Sequence, residues 1–266
     1  MTDVSLPRRT ALSLPLATAG VSLLGYTLAK AGKADAAVTA GSLVTTDGYK
    51  LRTLTAALAR APRARSFTSA PMILDNPSQW DGAALDLLLG YDGGPKQVWD
   101  NTDLDSPWLN LMRNSMNAQI WSFRHPDFLA ISATHGSAHL ALYDDYIWGK
   151  YLTAFTVGKH KSNIWVAMPP ACHANPANYE NPHGAFSPAD NSITVLQRRG
   201  AVFCGCHNEV WELTGGLLEK AINPDKLSHP ALAAELTNHL IPGAVLTPGI
   251  VGTLPQFQLA GFQYAK

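Results

Sequence analysis

Cys206 is the residue best placed for chemistry. It ends the run Ala201-Val-Phe-Cys-Gly-Cys-His-Asn208, in which an apolar stretch is framed by Gly200 on one side and by His207 and Asn208 on the other. The pattern predicts a buried strand delivering a thiol to the start of a helix, with Asn208 as the helix cap. Backbone N–H groups at such a terminus attract negative charge and lower a thiol pKa. A thiolate held there could act as a nucleophile or carry a second sulfur as a persulfide. Two more turns follow apolar runs: His135-Gly136 after residues 128–134, and Pro248-Gly249 after residues 244–247. In an open parallel sheet, ligands collect beyond the carboxyl ends of the strands. His135, Gly136, His207, Asn208 and Gly249 are therefore expected to line one crevice as binding residues, around a partly accessible catalytic Cys206.

The other thiols and the histidines allow competing chemistry. Cys204 shares a strand face with Val202 and reads as core. A Cys204–Cys206 disulfide would join Cα atoms about 6.5–7 Å apart along extended backbone, at the limit of disulfide geometry, unless the turn begins at Gly205. Cys172 lies in residues 171–191, a stretch dense in Pro, Asn and His with no apolar period, which predicts a long loop without a packed core of its own. It could pair with Cys206 as a resolving thiol. His135, His139, His173, His183 and His207, with Cys172 and Cys206, offer a donor set suited to Cu(I) or Zn(II). Their spacing fits no recognised site, so no metal is assigned, and His139 alone reads as helix surface. Cys204-Gly-Cys-His207 lacks the second intervening residue of a haem-attachment motif. No Gly-rich phosphate loop or serine nucleophile elbow appears, and no cofactor is expected.

Positioning these residues takes alternating strands and helices. Residues 83–89 predict a short apolar helix between the turn formers Asp75-Asn-Pro77 and Asp92-Gly-Gly-Pro95. Ser106-Pro107 opens a helix with Trp108, Leu111, Met112, Ser115 and Met116 on one face. Strands are expected at 128–134, 164–168, 201–205 and 244–247. Helical patterns run through Leu140 and Tyr143 to Trp148 and over 192–199, 209–221 and 230–238, and a short helix and a terminal strand follow Gly249. This alternation implies a mostly parallel sheet with helices on both faces, in one domain with insertions.

Residues 1–36 read as an export signal: Arg8-Arg9, an apolar stretch over 11–29, then Lys30, Lys33 and a small-residue site at Ala34-Asp-Ala36. The paired arginines fit the twin-arginine route to the periplasm or another compartment outside the cytoplasm. No stable membrane insertion is expected after cleavage; the competing reading is an uncleaved anchor. In an oxidising compartment, three cysteines leave at least one without a partner in the same chain. Residues 37–70 read as a linker with one or two amphipathic turns at Leu51, Leu54 and Leu58, and Arg60-Ala-Pro-Arg-Ala-Arg65 reads as a solvated tether. The folded body is expected over 71–266, with a loop insertion near 159–191. Lys+Arg and Asp+Glu both number 20, so no basic footprint points to nucleic acid. Apolar residues make up 46% of the chain, enough for a sizeable core.

Three segments resemble the DsrE-like sulfur-relay family, in the family's order. Residues 128–151, with Thr134-His-Gly136 and Tyr143-Asp-Asp-Tyr-Ile-Trp148, resemble its first strand-Gly-helix unit. Leu196-Gln-Arg-Arg-Gly-Ala-Val-Phe-Cys-Gly-Cys-His-Asn208 is similar to its helix-Gly-strand-Cys-x-Asn element. Pro242-Gly-Ala-Val-Leu-Thr-Pro-Gly249 and Phe257-Gln-Leu-Ala-Gly-Phe-Gln-Tyr264 resemble its closing strand, turn and end. The resemblance implies a flavodoxin-like α/β fold, assembly into homo-oligomers, and a persulfide-carrying cysteine that falls on Cys206. It implies small sulfur species or a sulfur-transfer protein as partners, and at most a sulfurtransferase-like activity. The alternatives are a non-catalytic ligand-binding or assembly protein of the same fold, or a Cys/His metal-binding protein. Export departs from the family's cytoplasmic relays, and so does the longer body with its Cys172 loop.

Overall fold

The computed structural model describes residues 41–166 and 177–266. Strands β1 (Lys96–Asn101), β2 (Leu129–Thr134), β3 (Val202–Cys206), β4 (Val245–Thr247) and β5 (Gln263–Ala265) form one all-parallel sheet in the order β4-β3-β2-β1-β5. β2 and β3 are buried along their whole length, as parallel strands covered on both faces must be. The architecture is α/β with a parallel sheet, as the alternation of elements predicts, and flavodoxin-like, as the resemblance implies.

The helices are α1 (Tyr49–Arg60), α2 (Gly82–Leu89), α3 (Trp108–Asn117), α4 (the consecutive segments Asp145–Ile147, Trp148–Leu152 and Thr153–Phe155), α5 (Ile193–Arg198), α6 (His207–Glu219), α7 (His229–Asn238) and α8 (Ile250–Leu259). One core layer joins α3, α4, α6 and α7 to the sheet through Met112, Trp148, Leu213 and Leu232, packed with Phe203. The other joins α1, α2 and α8 through Leu51, Leu88 and Phe257, packed with Val98, Ile131, Cys204 and Cys206. Strand alternation divides β3 between them, Phe203 to the first layer and Val202, Cys204 and Cys206 to the second. The strands β1 to β4 step one way across the sheet, and the chain then returns through α8 to set β5 beyond β1. Adjacent β3 and β4 thus send the chain to opposite faces.

Several expectations change. Residues 49–60 are not a linker: Leu51, Leu54 and Leu58 form a buried stripe on α1 and pack in the second layer, so the folded body begins ahead of residue 71. Arg65 is not solvated tether either, since it holds buried Asp81 through Nη1 at 3.0 Å and Nη2 at 2.7 Å. β1 appears where no strand was expected. Residues 164–166 form a turn in place of the expected strand, and 167–168 lie outside the described residues. Despite its composition, the loop after residue 176 does pack: Ala185 and Phe186 are buried with Leu43 and Val195. His139 lies on a tight 3-10 segment, Gly136–Leu142, and is fully buried rather than on a helix surface.

Candidate functional site

The sulfur of Cys206 lies where β3 and β4 part. Cys206 pairs with Thr247 across the sheet, and the next residue opens α6. Cys206 therefore caps α6 itself, two residues ahead of the Asn208 cap that the sequence suggests. Ile250, the first residue of α8, donates its N–H to Cys206 Sγ at 3.3 Å. The N–H groups of Asn208 and Glu209, in the first turn of α6, act electrostatically on the same sulfur without hydrogen-bonding it. Two helix N-termini bound for opposite faces thus flank one sulfur, the α8 terminus hydrogen-bonded to it, at the kind of switch point where parallel sheets bind ligands. The bare Gly249 leaves room for the Asn208 side-chain amide, whose Nδ2 would lie 2.9 Å from a Cβ there.

The thiol is nonetheless closed off. Cys206 is 4% exposed, against the expectation of partial access, because its side chain points into the α1–α2–α8 layer. Burial pushes its pKa up, and the three N–H groups offset only part of that effect. The acidified thiol expected at a helix start is therefore absent from the resting geometry. Fully buried Cys204 is raised as well, first by desolvation, and both cysteines are free thiols.

The turn after β2 meets this site through a carboxylate. Gly136 donates its N–H to Glu209 Oε2 at 2.8 Å, which ties the turn to the first turn of α6. Burial raises the Glu209 pKa, and the Gly136 bond works against it. Gly136 has φ +54, and a Cβ there would meet the Thr102 carbonyl oxygen at 2.7 Å. His135 turns the other way. It donates from Nε2 to Asp100 Oδ1 at 2.7 Å, while Tyr264 donates its hydroxyl to Asp100 Oδ2 at 2.7 Å. Burial works to raise the Asp100 pKa, but the bonds from Tyr264 and His135 outweigh it and hold the carboxyl below its ordinary value.

His207 leaves the crevice too. Its Nε2 donates to the Pro71 carbonyl at 2.7 Å, and its ring borders a hollow of about 30 Å³ beside Thr237. Beneath Gly205 lies a second polar group. His139 Nδ1 and Nε2 and the Tyr143 hydroxyl are buried without partners. Desolvation, with His135 and His207 nearby, draws His139 down to about 3, so it is neutral at physiological pH. Among the described residues no three His, Cys, Asp or Glu side chains gather as a metal site.

The strand-end edge is thus shared by all the expected positions, but it holds two arrangements. Cys206, Asn208 and Gly249 meet at the β3–β4 parting, joined to Gly136 by Glu209; His135 faces β1 and His207 faces the segment around Pro71. Cys172 lies outside the described residues. Sequence reasoning missed Asp100 and Glu209. Glu209 carried a signal, an acidic residue in the first turn of a helix; Asp100 lay on the unrecognised strand. A separate hollow of about 230 Å³ opens at the amino ends of the strands, beside Leu58, Ala201 and Gly243, and does not reach Cys206.

Comparison with protein-family models, characterised proteins and solved structures gives no match for this chain.

Proposed function

We propose that this chain is an exported DsrE-like protein that carries sulfur as a persulfide on Cys206. The Ile250 N–H bonded to Sγ, with the N-terminus of α6 beside the same sulfur, carries this reading. Such donors stabilise negative charge on an attacking thiolate and on the sulfur it acquires. The transfer involves no net oxidation. The Cys206 sulfur bonds to the outer sulfur of a small persulfide or of a persulfidated partner protein. The donor's S–S bond breaks, and the donor leaves as a thiol, taking the proton that Cys206 gave up. Because the thiol is closed at rest, the donor must open the β3–β4 parting. Residues 1–36, with Arg8-Arg9 and Ala34-Asp-Ala36, serve in this reading as a cleaved twin-arginine signal, and the mature chain assembles with its own copies.

The burial of Cys206 favours a second reading, a non-catalytic binding or assembly protein of the same fold in which the thiol is core. Intact-mass analysis of the mature protein after exposure to glutathione persulfide separates the two. The expected result is one added sulfur, removable by reductant, lost in Cys206→Ser and kept in Cys204→Ser. An adduct that survives Cys206→Ser, or no adduct from either the small donor or a persulfidated protein donor, would overturn the relay.

A further inference from the structure

At the amino end of β3, away from the Cys206 parting, Arg199 is 1% exposed and incompletely bonded. Its Nη2 donates to the neutral amide oxygen of Asn117 at 2.6 Å, whereas Nε and Nη1 have no partner. The charge acting on it is a second cation, Arg113, which is itself buried and donates to Asn191 Oδ1, Asn110 Oδ1 and the Phe186 carbonyl. The Phe186 and Trp121 rings lie 4.9 and 5.6 Å from the Arg199 guanidinium, and Tyr179 stacks on Trp121 at 4.9 Å.

Ring faces recover part of the cost of burying a cation, but they leave its N–H groups without acceptors. A second guanidinium adds repulsion. Buried charges persist where an opposite charge pairs with them. Desolvation, with Arg113 adding to it, draws Arg199 down to about 9, so at neutral pH it is still a cation.

We propose that Arg199 and Arg113 form an internal binding site for a compact inorganic anion of the chloride class, roofed by Phe186 and Trp121. The ion accepts from the unpartnered Arg199 nitrogens and neutralises the repulsion between the two guanidinium groups. Compactness follows from the enclosure, since Arg199 is almost wholly covered. Tyr179 is the exposed member of the ring stack, so exchange with solvent passes through the loop that carries it.

The test follows the melting temperature of the mature protein as sodium chloride replaces sodium gluconate at constant ionic strength. A saturable rise is expected, because an ion that binds the folded state alone stabilises it by mass action. Arg199→Met should show no saturable rise and should melt no lower than the wild type in gluconate, since an apolar side chain replaces an unpaired charge. No rise, a rise linear in chloride, or an equal rise in both proteins overturns the site. Bromide-soaked crystals of the wild type decide the matter if Arg199→Met fails to fold. Anomalous density between Arg199 and Arg113 supports the site, and its absence refutes it.

Discussion

Asp81→Asn should loosen the outer edge of β4 by an amount the structure fixes within narrow bounds. The Asp81 carboxylate is 1% exposed; it accepts from Arg65 at 3.0 and 2.7 Å, lies 3.8 Å from Arg63 Nε, and accepts the Leu246 N–H at 2.7 Å. The substitution keeps the side chain's shape and an acceptor for Leu246 but removes the charge, leaving two guanidinium groups against a neutral amide. Removing one partner of a buried pair costs about 3–5 kcal/mol. The Arg65 side chain is 20% exposed and can turn to water, so the low end, about 3 kcal/mol, is expected. For a chain of this length that is a fall of about 6–12 °C in melting temperature. Urea unfolding followed by circular dichroism gives the value directly, with an unchanged urea slope if the two-state transition is preserved. Arg65→Met should cost less, because the carboxylate keeps Arg63 and the Leu246 N–H. The double variant should fall short of the sum of the two single losses. A loss below about 1 kcal/mol for Asp81→Asn would refute the reasoning, since that is the range of an exposed ion pair.

Two other outcomes follow from the strand-end turns. Gly136→Ala should cost about 2–4 kcal/mol, combining a left-handed backbone penalty with a close contact to the Thr102 carbonyl; a near-neutral result in denaturant unfolding would show that this turn relaxes freely. Asp100 titrates lower in the folded chain than in the unfolded one, so its stabilisation is full above the ordinary aspartate value of about 3.9 and is lost as pH falls through the lowered folded value. The stability gap between the wild type and Asp100→Asn should therefore close on the acid side of that window, and a gap that stays constant or widens there would contradict the assignment.

The sequence displayed β2, β3 and β4 because each is an apolar run closed by a turn former, and the parallel architecture follows from those runs and the helices between them. β1 was illegible for a physical reason. Its Lys96-Gln-Val-Trp-Asp-Asn reads as surface, yet Gln97 accepts from Ser115 at 2.6 Å, Asn101 donates to Ser132 at 2.8 Å, and Asp100 is held by His135 and Tyr264. A central strand can be polar when each group has a partner, and those partners lie 18 to 164 residues away in the chain. Strand spacing placed Cys206 at the correct edge. It could not show which layer the thiol enters, because that depends on the path of α8 across the second face. The leucines of α1 were visible at helical spacing, but their small and polar neighbours concealed that they meet α2.

The covering of β4 also limits how copies of this chain could join. Asp81 donates its N–H to the Leu246 carbonyl at 3.0 Å and accepts the Leu246 N–H, while Arg63 and Arg65 donate to the Ala244 carbonyl. No backbone group along that stretch is left to recruit another strand. Among the described residues, sheet extension is therefore left to the far side of β5. Two copies meeting there about a twofold axis would make a ten-stranded sheet with a sealed β4 at each end. Such growth stops at a dimer, so an open filament of end-to-end sheets is barred by the same carboxylate that anchors β4.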